Sequence, residues 1–227
     1  MTSPSTHVQS QTRGRPPRID RARTLRTALD LLDESGLDAL TMRRIADAMD
    51  VRASALYRYY ATKNDLLTAM AEHMMDGVTH AAASTAGSGW REQLTVLAHA
   101  LRTALLGHRD GARVFAGTHS TGANTLGYAD TVVGILREAG FTADDAARAL
   151  YTVVNFTVGH TLEEQAALVP ASAEGAGDDD PAVLRTAVES GNYPHLGAVL
   201  PALTSTDFDG LFDFGLDLLV DGLTARH

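Results

Sequence analysis

Apolar residues recur every three or four positions through most of the chain, which is the spacing of one face of an α-helix. Asp20 predicts the start of a first helix and Gly36 its end. A capping-box pattern at Thr62 and Asp65 predicts another helix, which continues through Met74. No stretch of useful length alternates apolar and polar residues, and no sequence repeat is found. The pattern therefore predicts an all-α protein.

The second half of the chain continues the helical spacing. Helices are predicted over residues 90–106, around 114–115, over 129–139, 142–168 and 181–190, and from 208 to 223. Residues 82–89, which are rich in Ser, Thr and Gly, predict a connection. Residues 173–180 contain three consecutive aspartates and predict a solvated acidic loop. A metal site there is the alternative, but adjacent side chains rarely converge on one ion.

The segment from Thr41 to Lys63 has the pattern of two short helices joined by a tight turn. Ile45 and Met49 lie on one face of the first helix, with Thr41 at its N-cap, and Leu56 is turned inward on the second. Basic and hydroxyl residues cluster around the second helix, which is typical of a helix-turn-helix unit that reads DNA. An ordinary helical hairpin inside an all-α core is the alternative.

The same segment resembles the helix-turn-helix of tetracycline-repressor (TetR) family regulators, especially in the runs LYRYY (56–60) and KNDLL (63–67). The runs HRDGARV (108–114), TVGHTLEEQ (157–165) and FGLDLL (214–219) resemble the C-terminal domain of the tetracycline-repressor branch. The resemblance covers most of the chain. It implies an N-terminal three-helix DNA-binding domain at residues 19–65 and a C-terminal helical ligand-binding and dimerisation domain at 66–227.

Charge is divided unevenly along the chain. Residues 1–63 contain eleven Arg or Lys and seven Asp or Glu, a net charge of +4, whereas residues 64–227 contain eight and twenty-one, a net charge of −13. The first part suits phosphate and the second is repelled by it. Residues 1–18 are polar and end in an arginine-rich run, so they predict a disordered basic arm. A DNA-contacting arm and a solvated tail are both open interpretations.

Composition and motifs exclude several classes of protein. The 227 residues include no cysteine, which excludes disulfides, cysteine–zinc sites and thiol nucleophiles. We find no secretory signal and no run near the roughly 18 apolar residues of a membrane span. The nucleophile elbow, the phosphate-binding loop and the HExxH zinc motif are also missing. We therefore expect a cytoplasmic protein that is not an enzyme and has no membrane partner.

The resemblance implies a set of residues that read the bases of operator DNA. We call the two short helices of the helix-turn-helix the first and second reader helices. The positions at the front of the second reader helix are Arg52, Ala53, Ser54 and Ala55. Arginine is suited to guanine, whereas the two alanines provide only apolar contact, for instance to thymine methyl groups. Arg43, at the front of the first reader helix, matches a further position that approaches bases.

A second set of matching positions contacts the DNA backbone. Tyr57, Tyr59 and Lys63 match positions that mostly hold phosphates, which fix register without specifying sequence. Tyr60 is expected to pack within the N-terminal DNA-binding domain, which we call the head, instead of contacting DNA. Two heads about 34 Å apart would read successive major grooves, which requires a dimer. The resemblance implies a homodimer that pairs residues 142–168 and 207–224.

The apolar residues of the last predicted helix allow two interpretations. Leu211, Phe212, Leu216, Leu219 and Leu223 suit either an internal core or a partner subunit. Gly215 and Gly222 on the same helix would permit the close approach of another helix. We therefore expect this helix to contribute to the dimer interface.

The resemblance also implies a cavity for a small-molecule effector. The matching positions are Leu97, Leu101, Phe115, Thr118, Val132, Leu136, Asn155 and Glu163. At the position of Phe115 the tetracycline repressor has a histidine that binds drug-chelated magnesium, and phenylalanine offers that ion no ligand. We expect an apolar or aromatic effector bound without metal or other cofactor. Glu163 leaves a cationic aromatic compound as the second choice, and a filled core with no cavity is the alternative.

Three functions follow from these features in order of preference. The first is a ligand-responsive repressor that a small molecule releases from a palindromic operator. The second is a DNA-binding regulator without small-molecule control. The third is a small all-α metal-dependent hydrolase that uses His160 and Glu163, which are three residues apart and share a helix face.

Overall fold

The computed structural model describes residues 20–168 and 181–226, which form eleven α-helices, one 3₁₀ helix and no β-strand. The predicted basic arm at 1–18 and the predicted acidic loop at 173–180 lie outside the described residues. The N-terminal helices are α1 (Arg21–Ser35), α2 (Met42–Ala48), α3 (Ala53–Leu56) and α4 (Lys63–Met74). The prediction of an all-α protein is confirmed over the described residues.

Side-chain caps define the beginnings of the first helices as the sequence predicts. Asp20 accepts a hydrogen bond from the backbone N–H of Arg23 at 2.7 Å, and Thr41 caps α2 in the same manner. Thr62 and Asp65 form a complete capping box at the start of α4. Each cap satisfies amide groups that the first turn of a helix leaves without partners.

The first four helices share one apolar core, which we call the head core. It contains buried residues from all four helices: Ala28, Leu29, Leu32, Ile45, Ala46, Leu56, Leu66, Met70 and Met74, together with Leu40 and Met49 from the loops. Helix α4 therefore packs with the head over its whole length. The domain boundary placed at residue 65 remains a prediction, and this packing favours a boundary nearer Met74.

The remaining helices form the body. They are the 3₁₀ helix Val78–Thr85, α5 (Trp90–Leu106), α6 (Gly111–Ala116), α7 (Ala123–Glu138), α8 (Ala143–Leu168), α9 (Pro181–Ser190), α10 (Pro194–Leu203) and α11 (Phe208–Thr224). Helices α5, α7, α8 and α11 bury a second apolar cluster, the body core, around Leu94, Leu101, Val132, Val153 and Phe212. Helices α9 and α10 pack on each other and leave most of their residues exposed.

Two predictions for the body are wrong in detail, and one helix has no counterpart among the predictions. The 3₁₀ helix occupies part of the connection predicted at 82–89. Helix α7 begins at Ala123 rather than at 129, because its first turn is held by a side chain from a distant part of the chain. Helix α10 forms although Gly197 and Pro201, both helix-breaking residues, lie within it. Pro194 at its N-terminus is, by contrast, a residue that favours helix initiation.

Polar contacts join the head to the body at the turn between α5 and α6. Asp110 has a left-handed backbone (φ 57°) and accepts a 2.7 Å hydrogen bond from the backbone N–H of Leu37. Arg113 forms an ion pair with Asp38 at 3.0 Å, and hydrogen bonding to the Arg113 guanidinium lowers the pKa of Asp38. Within residues 20–168 and 181–226, no helix is both long and apolar enough to cross a bilayer.

Candidate nucleic-acid interface and ligand cavity

A tight turn joins α2 to α3 and sets the direction of the second helix. Asp50 in this turn has φ 54°, a left-handed conformation that aspartate tolerates better than most residues. The backbone N–H of Val51 then donates to the carbonyl of Ala46 at 2.9 Å. These features form the helix-turn-helix geometry that the sequence predicts.

One side of α3 packs on the head core, and its other side faces outward. Leu56 is fully buried in the head core, whereas Ser54 is exposed and Ala53 and Ala55 are half-buried. Arg52, at the N-cap of α3, is exposed and makes no side-chain hydrogen bond to the helix. The base-facing set predicted from the sequence is thus accessible, but its contacts with DNA remain a prediction.

The other predicted DNA contacts differ in accessibility. The Arg43 side chain is 89% exposed, and its 3.9 Å contact with Asp47 is too exposed to hold it strongly. Tyr57 is 50% exposed, whereas Tyr59 and Lys63 are half-buried. These differences leave Arg43 and Tyr57 the most accessible of the four.

Tyr60 is buried, and its hydroxyl donates to the backbone carbonyl of Arg21 at 3.3 Å. The guanidinium of Arg21 also lies over the Tyr60 ring, 5.6 Å from its centroid. The predicted packing role of Tyr60 is confirmed.

A cavity of about 530 Å³ lies between α6, α7 and α8. Its volume falls in the range of pockets that bind small organic molecules, about 300–1,000 Å³. Of the eight predicted ligand residues, Phe115, Thr118 and Asn155 line it. Most of the remaining wall is apolar: Met75, Ala116, Ala129, Leu150, Val154, Val158 and Leu162.

The structure does not bring the other five predicted ligand residues to this cavity. Four of them are fully or almost fully buried in the body core: Leu97, Leu101, Val132 and Leu136. They lie on faces of α5 and α7 that pack against other helices of the body. Glu163 is exposed on α8, and the buried carboxylate of this helix belongs to its neighbour, Glu164.

Sequence reasoning missed several polar residues of the cavity wall, among them Tyr128, Ser120 and Thr125. The Tyr128 hydroxyl donates to the backbone carbonyl of Leu97 at 3.3 Å, and burial raises the pKa of Tyr128 well above its usual range. Ser120 and Thr125 also line the cavity, and both donate to the carboxylate of Glu72 on α4. None of these residues belongs to a motif, and no local signal in the sequence identifies them.

Two polar side chains of the cavity remain available to a ligand. His119 and Asn155 are exposed and have no hydrogen-bond or ion-pair partner within the described part of the chain. An amide and an imidazole both donate and accept hydrogen bonds. The cavity therefore combines an apolar wall with two groups able to orient a polar substituent.

The residue pair suggested for a hydrolase has a different environment. His160 Nε2 lies 3.0 Å from the backbone carbonyl oxygen of Phe208, and its ring packs against Phe156 and Phe212. Glu163 is exposed. Within residues 20–168 and 181–226, no group of three or more His, Cys, Asp or Glu side chains converges as a metal site would require.

The last helix, α11, has an inward and an outward apolar face. Phe212, Leu216 and Val220 are buried, and Leu219 and Leu223 are half-buried. The outward face contains Leu211, Phe214 and Leu218, which are 44%, 66% and 59% exposed. Tyr151 of α8, which is 68% exposed, provides another large side chain for an interface.

The two glycines of α11 have different surroundings. A Cβ atom at Gly215 would lie 2.5 Å from the ring of Phe156, so the close approach at this glycine is to α8 of the same chain. The close approach of another helix expected at Gly215 is therefore made by α8 of the same chain. A Cβ atom at Gly222 would meet no atom within 4 Å.

Comparisons with known proteins agree with this architecture. Residues 25–70 match the family described as "Bacterial regulatory proteins, tetR family", and residues 82–227 match "Tetracyclin repressor-like, C-terminal domain". The tetracycline repressor protein class A from transposon 1721 of Escherichia coli is 42% identical over 89% of both chains.

Two solved structures are similar along nearly the whole chain. A possible TetR family transcriptional regulator from Streptomyces coelicolor A3(2) is 68% identical, with a TM-score of 0.85 over 92% of this chain and 100% of that one. TetR (class A) in complex with 5a,6-anhydrotetracycline and magnesium is 36% identical, with a TM-score of 0.64 over 90% and 97%. With a helix-turn-helix head, an all-helical body and these matches, the chain belongs to the tetR family of bacterial regulatory proteins.

Proposed function

We propose that this protein is a ligand-responsive transcriptional repressor that binds a palindromic DNA operator as a homodimer in the bacterial cytoplasm. The observation that carries the proposal is the outward face of α3, where Arg52 and Ser54 are accessible beside a turn that the head core holds in place. The +4 charge of residues 1–63 favours phosphate, and the −13 charge of the remainder disfavours contact between the body and DNA. The role is one of binding rather than catalysis.

The homodimer is supported by the outward apolar face of α11. A monomer would leave Leu211, Phe214 and Leu218 in water beside Tyr151 of α8. Contiguous apolar patches of this kind mark interaction sites in soluble proteins. Pairing α8 and α11 with the same helices of a second subunit would cover the patch and bring two heads onto one DNA duplex.

The effector is a mainly apolar, aromatic compound that binds without a divalent metal ion. Phe115 lies in the cavity wall and has no atom that magnesium accepts as a ligand, whereas the class A relative was solved with a drug and magnesium. Burial against the apolar wall contributes about 25 cal/mol per Å² of ligand surface. His119 and Asn155 provide hydrogen bonds for one or two polar substituents.

Release from DNA follows if the effector prefers one of two arrangements of the head relative to the body. The effector changes DNA affinity only to the extent that its own affinity differs between those arrangements. Helix α4 is the element that such a change would move, because it packs in the head core and also contacts the body.

The test uses the full chain and a duplex of about 40 base pairs taken from directly upstream of its own gene, long enough for two heads on successive major grooves. Binding should weaken steeply between roughly 50 and 200 mM salt. A panel of planar aromatic compounds, each tested with and without a chelator, should include one that releases the DNA in both conditions. Release that requires magnesium would contradict the metal-free effector, and binding with no release by any compound would favour a regulator without small-molecule control.

A further inference from the structure

Glu72, on α4, contacts the first turn of α7 with both carboxylate oxygens. Its Oε2 accepts hydrogen bonds from the hydroxyls of Thr125 and Ser120 at 2.7 and 2.8 Å, and its Oε1 accepts from the backbone N–H of Asn124. The N-cap residue of α7 is Gly122, which has no side chain to perform this role. The carboxylate of α4 therefore supplies the cap that α7 lacks, and we call this contact the Glu72 clasp.

The clasp is at one end of a helix whose other end belongs to the DNA-reading head. Leu66 and Met70 of α4 are fully buried in the head core with the reader helices. The side chain of Asn124 adds a further contact, since its amide donates to the backbone carbonyl of Glu72 at 3.0 Å. A change in the clasp is thus transmitted to the head through one short, packed helix.

Two of the residues that donate to Glu72 also form the wall of the ligand cavity. Ser120 and Thr125 line the cavity beside Thr118 and His119. A ligand that hydrogen-bonds to either hydroxyl, or displaces it, competes directly with the carboxylate of Glu72. The same two hydroxyl groups therefore line the cavity and donate to Glu72, and Glu72 is connected to the head through α4.

We propose that Glu72 is the positioning residue that couples occupancy of this cavity to the orientation of the two DNA-reading heads. The inference rests on the proposed function and deepens it by naming the contact through which the signal passes. With the clasp closed, α4 and the contacts of Asp110 and Arg113 with the head together hold each head in a fixed orientation on the body. With it open, the heads keep their own fold but lose their fixed spacing.

Gly122 gives independent evidence that the backbone is shaped around this carboxylate. A Cβ atom at Gly122 would lie 2.2 Å from Cδ of Glu72 and 2.5 Å from Oε1. The backbone of Gly122 is extended (φ −73°, ψ 168°), which any residue adopts, so conformational freedom does not explain the glycine. Alanine at this position would push the carboxylate away from α7, and Gly122→Ala opens the clasp without changing Glu72.

The experiment compares full-length wild type with Glu72→Ala, Gly122→Ala and the double variant. DNA affinity is measured on the duplex of about 40 base pairs and on a duplex of about 14 base pairs, which accommodates one head only. Each single variant should lose at least about fivefold affinity for the long duplex, the lower range of typical coupling effects. Affinity for the short duplex should change less than about twofold, because the reader helices are intact.

The double variant distinguishes the clasp from two unrelated defects. Once Glu72 is removed, the added Cβ of Gly122→Ala has no carboxylate to displace. Its further effect on the long duplex should therefore be less than about twofold. Additive losses would overturn the proposal, and so would equal losses on the short and long duplexes. Failure of the wild type to bind either duplex would instead overturn the proposed function.

A second measurement tests the connection to the cavity with 1-anilinonaphthalene-8-sulfonate, a fluorescent probe of apolar sites. Coupling is reciprocal, so saturation with the long duplex should change the affinity of wild type for the probe by at least about threefold. In Glu72→Ala the change should disappear. Thr142→Ala is the control, because the Thr142 hydroxyl forms a helix cap of the same kind with Asp145, at the start of α8. An effect of DNA that persists in Glu72→Ala, or is missing in wild type bound to DNA, would overturn the proposal.

Discussion

Arg102 of α5 and Glu164 of α8 form a two-bond ion pair in which both N–O distances are 2.8 Å and both residues are 7% exposed. Asp209 of α11 contacts the same guanidinium at 2.6 Å, and the ring of Phe212 lies 5.1 Å from it. Burial works against the charge, but the bonds to Glu164 and Asp209 outweigh it and raise the pKa of Arg102. The guanidinium of Arg102 therefore joins three helices of the body, α5, α8 and α11.

Glu164→Ala should destabilise the protein by about 3 kcal/mol, because it leaves the buried guanidinium with only Asp209, whose side chain is exposed. Glu163→Ala is the matched control, since Glu163 is the adjacent glutamate and is exposed. Its effect should stay within about 0.5 kcal/mol. Urea unfolding of both variants at one fixed protein concentration measures the difference. Equal stability of the two variants would contradict the assigned role of the ion pair.

These two glutamates show where prediction from the sequence stops. The apolar spacing, the caps at Asp20, Thr41 and Thr62, and the helix-turn-helix were predictable because they depend on residues close together in the chain. The side of α8 on which a glutamate meets a partner depends on the packing of α5 and α11. The family pattern identified Glu163, whereas the packing buries Glu164.

The ligand cavity was predictable in kind but not in its lining. Positions matched to the tetracycline repressor included Leu97 and Leu136, which this chain buries in the body core. The cavity instead draws on the connection after α6 and on the first turn of α7, whose start depends on Glu72 from α4. A contact between residues so far apart in the chain has no local signature.

Substitutions in the head should separate affinity from sequence preference. Lys63→Ala should weaken binding by a similar factor on good and poor DNA sites, because a phosphate contact carries no sequence information. Arg52→Ala should reduce the preference for the good site by about 1–3 kcal/mol, the range for a paired contact with a base. Binding titrations on the upstream duplex and on a scrambled duplex measure both effects. Undiminished affinity of Lys63→Ala on both duplexes would remove this residue from the interface.

A charge on the outward face of α11 should separate the subunits. Phe214→Glu introduces a carboxylate on a side chain that is 66% exposed in one chain and would be buried in the dimer. Sedimentation should show monomers, and affinity for the long duplex should fall while the head keeps its fold. Leu126→Glu is the control, because Leu126 is an exposed apolar residue of α7, 54% accessible, and lies on no proposed interface. A dimer of Phe214→Glu with unchanged DNA affinity would contradict this interface.

The contribution of Glu72 to stability should disappear in acid. The hydrogen bonds from Thr125, Asn124 and Ser120 outweigh the opposing effect of burial and hold the pKa of Glu72 below its ordinary value of 4.5. A lowered folded-state pKa stabilises the protein above the ordinary value, and this stabilisation is lost as the pH falls below it. The stability gap between wild type and Glu72→Gln should be constant above about pH 5.5 and shrink below about pH 4.5. Thermal unfolding across this range, with Glu163→Gln as the exposed control, measures the gap; a constant gap down to pH 3 would contradict the assignment.

Filling the cavity should abolish the response to ligand without harming the fold. Gly159 of α8 lines the cavity, and a Cβ atom there would meet no atom within 4 Å. Gly159→Leu places a side chain in that space and replaces a glycine inside a helix, a change that favours the helix by about 1 kcal/mol. We therefore expect stability equal to or above that of wild type, and at least about tenfold weaker binding of 1-anilinonaphthalene-8-sulfonate, the effect of about 1.4 kcal/mol.

Gly134→Leu is the matched control for this change. Gly134 is also a helical glycine with no atom within 4 Å of an added Cβ, but it lies on α7 outside the cavity lining. The same gain in helix propensity should then occur with unchanged binding of the probe. Probe fluorescence and thermal unfolding are measured on both variants, with sedimentation to verify that each remains a dimer. Probe binding by Gly159→Leu as tight as that of Gly134→Leu would show that the ligand enters elsewhere, because a leucine and a ligand cannot occupy the same part of the cavity.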